Sequence, residues 1–223
     1  AHWEGRAMRL CALPVVAFVA TASVAEAGLV NPLIPAWAGQ PFTQTATWNV
    51  FTQATGGANL PDGVGSSPFS LMNFAPGATI NASGDIVGAS APLYVMATGG
   101  TRGNQQSPIN VVMNVATEGS VLAYSATRLT LFDAAGTSVS VAPTSYEIRY
   151  SAPAGLGVAQ TVAFVWSLPA PTLAASGFRV EFLASSAGMT LDAVRLDLQY
   201  VPGPGPLAAV AIAGLAGRRR RRS

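Results

Sequence analysis

Apolar and polar residues alternate along most of the middle of the chain. The longest regular run ends at Tyr200, where Val194, Leu196, Leu198 and Tyr200 share one face and charged or amide side chains occupy the other. A period of two is typical of a β-strand with one buried face, so the pattern predicts eight or nine strands. The other stretches are Phe42–Val50, Leu93–Ala97, Ile109–Val115, Leu129–Leu131, Val139–Val141, Tyr146–Tyr150, Thr161–Leu168 and Gly177–Ala184.

Clusters of Gly, Pro, Ser and Asn separate these stretches, and no helical period of ten or more residues occurs among them. Strands with one apolar and one polar face are typical of antiparallel sheets that cover a core on one side. Two such sheets packed face to face form a sandwich. We expect an all-β, antiparallel β-sandwich with a jelly-roll-like strand order, and an immunoglobulin-like sandwich is the alternative.

Two polar stretches interrupt the strand pattern. Thr52–Pro68 is rich in Gly, Pro, Asn and Ser, and Gly99–Pro108 contains Arg102. Long loops on a rigid sandwich often carry binding residues, but plain connections have the same composition. The sequence leaves both interpretations open.

The first 27 residues have the three parts of a secretory signal peptide. Met8 and Arg9 form a short basic start, Leu10–Val24 is apolar, and Ala25 and Ala27 give the A-x-A pattern that signal peptidase cleaves. We therefore predict a signal helix in residues 1–27, removed after export, and a mature domain in residues 28–200.

The last 23 residues have a different three-part order. A Pro-rich motif precedes eleven apolar residues, Leu207–Gly217, and a run of arginines follows them. Eleven residues in a helix span about 16 Å against a hydrocarbon core of about 30 Å, which suits a transient membrane anchor. Arginines at its end would stay at the cytoplasmic face. The motif is Val201, Pro202, Gly203 and Pro204, and the arginines are Arg218, Arg219, Arg220, Arg221 and Arg222.

This order resembles the PEP-CTERM sorting signal of exported bacterial proteins. Residues 201–223 match its Pro-rich motif, short apolar helix and arginine run, with Gly203 in place of the usual Glu. The resemblance implies processing by an exosortase-like membrane protease. It also implies a location in the cell envelope, at the outer surface or in the extracellular matrix, with extracellular polysaccharide as a possible partner.

Composition excludes several kinds of chemistry. The only His and the only Cys are His2 and Cys11, and all 12 basic residues are Arg. Residues 28–200 therefore contain no Cys/His zinc site, disulfide framework, Cys nucleophile or Ser-His-Asp triad. They carry five arginines and eight acids, a net charge of −3, which disfavours a nucleic-acid partner.

Carboxylates are the remaining candidates for catalysis. A glycoside hydrolase needs two of them about 5–10 Å apart, and no spacing singles out a pair. Glu147 and Glu181 lie beside Arg149 and Arg179, which indicates surface charge pairing. No cofactor is expected. Calcium would be the one metal to test, with Asp62 and Asp192 as the first ligands to examine.

Aromatic residues could instead bind a sugar. Trp48 and Trp166 lie on alternating apolar faces and are expected in the core. Trp37 precedes the first strand and is the candidate ligand contact, although packing against the sandwich edge is the more ordinary role. The sequence favours an exported, non-enzymatic envelope or matrix protein, with a carbohydrate-binding module and a carboxylate-based glycoside hydrolase as alternatives.

Overall fold

Two antiparallel β-sheets pack face to face in the computed structural model, which describes residues 28–63, 68–100, 108–155, 157–168 and 175–200. One turn of 3₁₀ helix, Tyr124–Ala126, lies between the sixth and seventh strands. The strands are β1 Thr43–Trp48, β2 Phe69–Asn73, β3 Thr79–Ile80, β4 Ile86–Gly88, β5 Tyr94–Gly100, β6 Pro108–Gly119, β7 Arg128–Phe132, β8 Ser138–Val141, β9 Ser145–Ala154, β10 Gly157–Ser167, β11 Gly177–Leu183 and β12 Met189–Tyr200.

The strand order is that of a jelly roll, which confirms the predicted fold over the immunoglobulin-like alternative. The seven-stranded sheet has the order β3-β4-β12-β6-β10-β9, and β1 continues beside β4 along the same edge of β12. The five-stranded sheet has the order β2-β5-β11-β7-β8. From β5 to β12 the chain crosses between the two sheets five times, and β7-β8 and β9-β10 are the consecutive strands that pair within one sheet.

The core lies between the two sheets, on the faces that the alternation assigned to it. Val194, Leu196 and Leu198 of β12 are fully buried. Trp48 and Trp166 are also fully buried, as the sequence predicts. Their indole nitrogens donate to backbone oxygens, Trp48 to Asn59 at 3.0 Å and Trp166 to Val141 at 3.2 Å. Each buried indole N–H therefore has a hydrogen-bond partner, so the rings add apolar area to the core without burying an unpaired polar group.

The prediction of Thr52–Pro68 as one long polar loop is only partly right. Asn59, in its middle, is 1% exposed and forms a bridge with Leu71 of β2. Its side-chain oxygen accepts from the amides of Thr52 and Gln53 at 2.7 and 2.9 Å. This stretch is therefore held against the small sheet by a buried amide, so Asn59 acts as an anchor within it.

Residues 28–42, which we call the N-terminal strap, cross the outer face of the seven-stranded sheet. The amide of Val30 donates to Thr161 Oγ1 at 3.1 Å. Leu33 exchanges two hydrogen bonds with the side chain of Asn114, at 2.7 and 3.0 Å. Asn114 is fully buried although it points away from the core, because the strap covers it.

Several predicted features lie outside the described residues. These are the signal peptide with its helix and cleavage site, the C-terminal sorting signal with its apolar helix, and Arg102. Within the described ranges no helix has the length and apolar character needed to cross a membrane.

Three glycines allow the strand ends to approach closely at one end of the sandwich. A Cβ on Gly157 would lie 2.6 Å from the Cα and carbonyl carbon of Gly119, which are backbone atoms that cannot rotate away. Gly119 in turn has φ +91° and packs against the carbonyl oxygen of Gly188. Only glycine fits at this contact between β6 and the start of β10.

The Gly157→Ala variant should therefore lose about 1–3 kcal/mol of unfolding free energy, the range for overpacking against a rigid neighbour. Gly100→Ala is the matched control, because a Cβ there meets nothing within 4 Å, and it should stay within about 0.5 kcal/mol. Urea unfolding of both variants measures the difference. Equal stability of the two would show that the contact does not constrain the fold.

Candidate functional site

An aromatic pair lies at the open edge of the sandwich. Tyr124, on the 3₁₀ turn, and Tyr146, on β9, stack with ring centroids 4.9 Å apart and planes 16° from parallel. Tyr146 also packs at 6.2 Å against Phe164, a fully buried ring of β10. The pair therefore continues the apolar core outward to the surface.

The edge is open because β9 is the last strand of the larger sheet. Tyr146 and Ile148 pair with Phe164 and Val162 and share their inward face, yet they remain 52% and 48% exposed. The smaller sheet does not cover them. Two large apolar side chains on the inner face of a sheet are thus accessible to solvent.

Polar atoms without partners lie next to this pair. Thr117 and Gln160 are cross-strand partners on β6 and β10, facing inward and no more than 3% exposed. Gln160 Oε1 accepts from the Tyr124 hydroxyl at 2.8 Å, but Gln160 Nε2 and Thr117 Oγ1 have no hydrogen bond. The Oγ1 of Thr127, a fully buried residue whose amide donates to the Tyr124 carbonyl oxygen, has none either.

Such atoms are uncommon in folded proteins, because each buried polar group without a partner costs about 1–3 kcal/mol. Three of them belong to residues linked to Tyr124. Gln160 accepts from its hydroxyl, and Thr117 is the cross-strand partner of Gln160. Thr127 follows Tyr124 by three residues and donates its amide to the Tyr124 carbonyl. We call this group the Tyr124 site: Tyr124, Tyr146, Thr117, Gln160 and Thr127.

The Tyr124 site is uncharged. Burial raises the pKa of the Tyr124 hydroxyl, partly offset by its hydrogen bond to Gln160, so the phenol stays neutral at physiological pH. The neighbouring Arg128 guanidinium donates to the backbone oxygens of Ser125 and Thr127, each at 2.7 Å. Hydroxyl and amide groups thus provide the hydrogen-bonding capacity of the site.

Five of the eight acids in the domain form an ion pair with an arginine or accept hydrogen bonds from Asn49 or from backbone amides. The predicted charge pairs of Glu147 and Glu181 with arginines two residues away are confirmed. The five are Glu147 with Arg149, Glu181 with Arg179, Asp197 with Arg195, Asp62 with Asn49, and Asp133 with the amides of Ala135 and Thr137.

The other three acids lie on the outer face of the larger sheet. Asp192 is an extra residue in β12, a β-bulge without a partner on β6. Asp85 immediately precedes β4, which pairs with β12 just before the bulge, and Glu118 is on β6. Burial raises the pKa of Asp192 to about 7, and the charges of Asp85 and Glu118 add to the effect.

The calcium ligands suggested by the sequence have different neighbours. Asp62 is exposed and binds Asn49, whereas Asp192 lies beside Asp85 and Glu118. Across the described ranges, no group of three or more Asp, Glu, His or Cys residues is arranged to hold a metal ion.

Trp37 lies in the N-terminal strap and is half-buried. It belongs to a turn in which Ala38 donates to the Pro35 carbonyl at 2.9 Å and Gln40 donates to the Trp37 carbonyl at 3.1 Å. The strap bonds to the outer face of the larger sheet, whereas Thr117 and Gln160 of the Tyr124 site are on its inner face. The role of Trp37 as a ligand contact stays a prediction.

Sequence reasoning missed the Tyr124 site, although one signal was available. Thr117 and Gln160 extend the inward-facing positions of two apolar strands, and a polar residue at such a position indicates either a buried hydrogen bond or a ligand. Tyr124 follows no strand pattern and could not be assigned this way.

Neither a protein-family model nor a curated protein matches the chain. Among solved structures, it is similar to the enzymatically active domain of tailspike protein 4 of bacteriophage CBA120, with a TM-score of 0.29 and 11% identity. The match covers 77% of this chain and 22% of that chain. This likeness is too distant to support a statement about fold or activity.

Asp192 should make stability fall as the pH rises. Its pKa is near 4 when unfolded and about 7 when folded, so between these values the folded state binds the extra proton. The unfolding free energy should decrease from pH 5 to pH 8 by on the order of 2 kcal/mol. This decrease is smaller than the full pKa shift implies, because the Asp192 carboxyl is only partly buried.

Urea unfolding at pH 5 and pH 8 measures this slope, which Asp192→Asn should abolish. The exposed Glu147→Gln variant is the control and should keep the wild-type slope. The only histidine, His2, precedes the predicted mature domain and does not titrate within it. An unchanged slope in Asp192→Asn would contradict the assignment.

Proposed function

We propose that the chain is an exported, non-enzymatic β-sandwich protein of the bacterial envelope or extracellular matrix. Signal peptidase would remove residues 1–27, and the C-terminal signal would hold the protein briefly at the membrane until an exosortase-like protease processes it. The domain of residues 28–200 would then act outside the cell.

The observation that carries this proposal is the position of the N-terminal strap. Its first contacts, from Val30 and Leu33 to the outer face of the sheet, begin just after the predicted cleavage site at Ala27. Cleavage there would leave every strap contact intact. A cut several residues later would remove the Val30 amide from Thr161, and with it part of the cover over Asn114.

The carboxylates support a non-enzymatic role. A glycosidase requires two acids that both reach the substrate from a cleft. Asp85, the buried neighbour of Asp192, is 5% exposed and accepts from Asn81 at 2.8 Å, so little of its carboxylate is accessible to a substrate. Five of the other six acids are held by the partners described above, and the sixth is Glu118.

Mass spectrometry of the exported protein tests the two processing steps. In a host with an exosortase, the mature chain should begin at Gly28 and should lack Arg218–Arg222. The protein from an isogenic strain without that enzyme should retain Arg218–Arg222. The Ala27→Asp variant should retain the leader, because a charged side chain does not fit the cleavage position, whereas Ala36→Asp should be cut normally. An exported chain that still ends at Ser223 would refute the sorting claim.

Carbohydrate binding is the second candidate function. It is favoured by the exposed ring of Tyr146, which stacks on the partly buried Tyr124, because an aromatic ring at a surface can stack on the apolar face of a sugar ring. An exported domain in a polysaccharide matrix would meet such a ligand directly.

Affinity electrophoresis tests this candidate in gels that contain either neutral or acidic polysaccharide. We expect a neutral polysaccharide to slow the migration of the domain. Trp37→Ala examines the contact predicted from the sequence, with Arg102→Ala as its control. Unaltered migration in every polysaccharide would rule out carbohydrate binding.

A further inference from the structure

We infer that the Tyr124 site binds an uncharged sugar residue of a polysaccharide, with Tyr146 as the stacking surface and Thr117, Gln160 and Thr127 as the polar contacts. The inference rests on the second candidate function and assigns the residues that would perform it. It is independent of the Trp37 prediction, which concerns a residue of the N-terminal strap.

The polar atoms provide the first argument. Thr117 Oγ1, Thr127 Oγ1 and Gln160 Nε2 are buried without a hydrogen bond. Only two other buried side-chain atoms in the described ranges share this property, Asp85 Oδ1 and Arg179 Nε. Gln160 is bonded to the Tyr124 hydroxyl, Thr117 is the cross-strand partner of Gln160, and the Thr127 amide donates to the Tyr124 carbonyl, so a molecule bound beside Tyr124 would be near residues with unused hydrogen-bonding capacity.

Their chemistry points to a neutral ligand that both donates and accepts. The two threonine hydroxyls do both, the Gln160 amide nitrogen donates, and the Tyr124 oxygen can still accept. Sugar hydroxyls have the same dual capacity. In the described part of the chain no carboxylate is bonded to these residues, and Arg128 donates to the backbone oxygens of Ser125 and Thr127 rather than to a side chain of the site. An ionic ligand would therefore lose its hydration without a counter-charge.

The aromatic rim provides the second argument. Tyr146 presents an exposed ring, and Ile148 extends the apolar surface along the same strand. The C–H face of a pyranose ring can lie on such a surface while its hydroxyls point toward the polar atoms. Mostly apolar walls with a few convergent polar groups are typical of small-ligand sites.

Access to the polar atoms depends on the 3₁₀ turn. Tyr124 covers Gln160, and its turn contains three residues, none of them buried, and has no side-chain cap at its start. Short turns with few buried contacts open at low cost. A ligand would displace the Tyr124 hydroxyl from Gln160 Oε1 and take its place.

The test measures binding of defined tetrasaccharides to the domain of residues 28–200, prepared by cleavage of the exported full chain at its own sites, or to the full chain if it is not processed. The probes are β-1,4- and α-1,4-linked glucose tetrasaccharides, which are neutral, and tetragalacturonate, which is anionic. Calorimetric titration and saturation-transfer NMR should show binding of a neutral probe and none of the anion.

Two substitutions at the site should weaken that binding by about tenfold or more, the effect of losing one good contact. Tyr146→Ala removes the stacking surface, and Thr117→Val replaces the hydroxyl with a methyl group of the same shape. Tyr150→Ala is the matched control. It removes an exposed tyrosine of the same strand, paired with Thr161 on the outer face, and should change affinity less than about twofold.

Thermal unfolding separates a ligand site from a structural water site. If the Thr117 hydroxyl has no hydrogen bond until a ligand binds, Thr117→Val should raise the Tm of the free domain and weaken sugar binding. If it binds only a buried water, the variant should lower the Tm and leave sugar binding unchanged, which overturns the inference.

The two proposals fail in different ways. Absence of binding to every polysaccharide would refute both the carbohydrate-binding candidate and the Tyr124 site. Polysaccharide binding that Tyr146→Ala and Thr117→Val leave unchanged, or binding of the anionic probe alone, would refute only the site assigned in this structure.

Discussion

The continuity of β12 is the constraint on which the larger sheet depends. This strand pairs with β6 along one edge and with β4 and then β1 along the other. Met189 and Leu191 face the core before the bulge, and Val194 and Leu196 face it afterwards. The inward positions thus change from odd to even numbers. A regular strand would expose one of these halves, so the extra residue at Asp192 is what keeps both buried.

The same bulge determines the electrostatics of the outer face. The bulge lies at the point along β12 where pairing with β4 stops and pairing with β1 starts. Its unpaired residue, Asp192, lies beside Asp85 and Glu118. Further along β12, Asp197 is fully buried but receives two hydrogen bonds from Arg195 and one from Thr45. Both are acids on the outward side of one strand. Asp197 has the Arg195 guanidinium beside it, whereas burial, together with the charges of Asp85 and Glu118, raises the pKa of Asp192.

The alternation of apolar residues predicted the sandwich well because nine strands have one clearly apolar face. It missed β2, β3 and β4 for separate reasons. In β2 the inward positions include the polar Asn73 and the outward ones include Met72, which blurs the pattern, while β3 and β4 have two and three residues. The alternation also misplaced Tyr150. It shares its predicted face with Tyr146, but a register shift in the pairing of β9 with β10 turns it outward opposite Thr161.

The candidate site was harder to predict because its residues come from four parts of the chain. Thr117 and Gln160 are brought together by the pairing of β6 with β10, and Tyr124 reaches them from a turn that precedes β7. Nothing in the sequence near Tyr124 specifies this contact. The edge position of β9 then decides that Tyr146 is exposed, and an edge exists there because the larger sheet extends beyond the smaller one. The accessible aromatic surface is thus a consequence of unequal sheet widths, which a strand-by-strand analysis of the sequence does not determine.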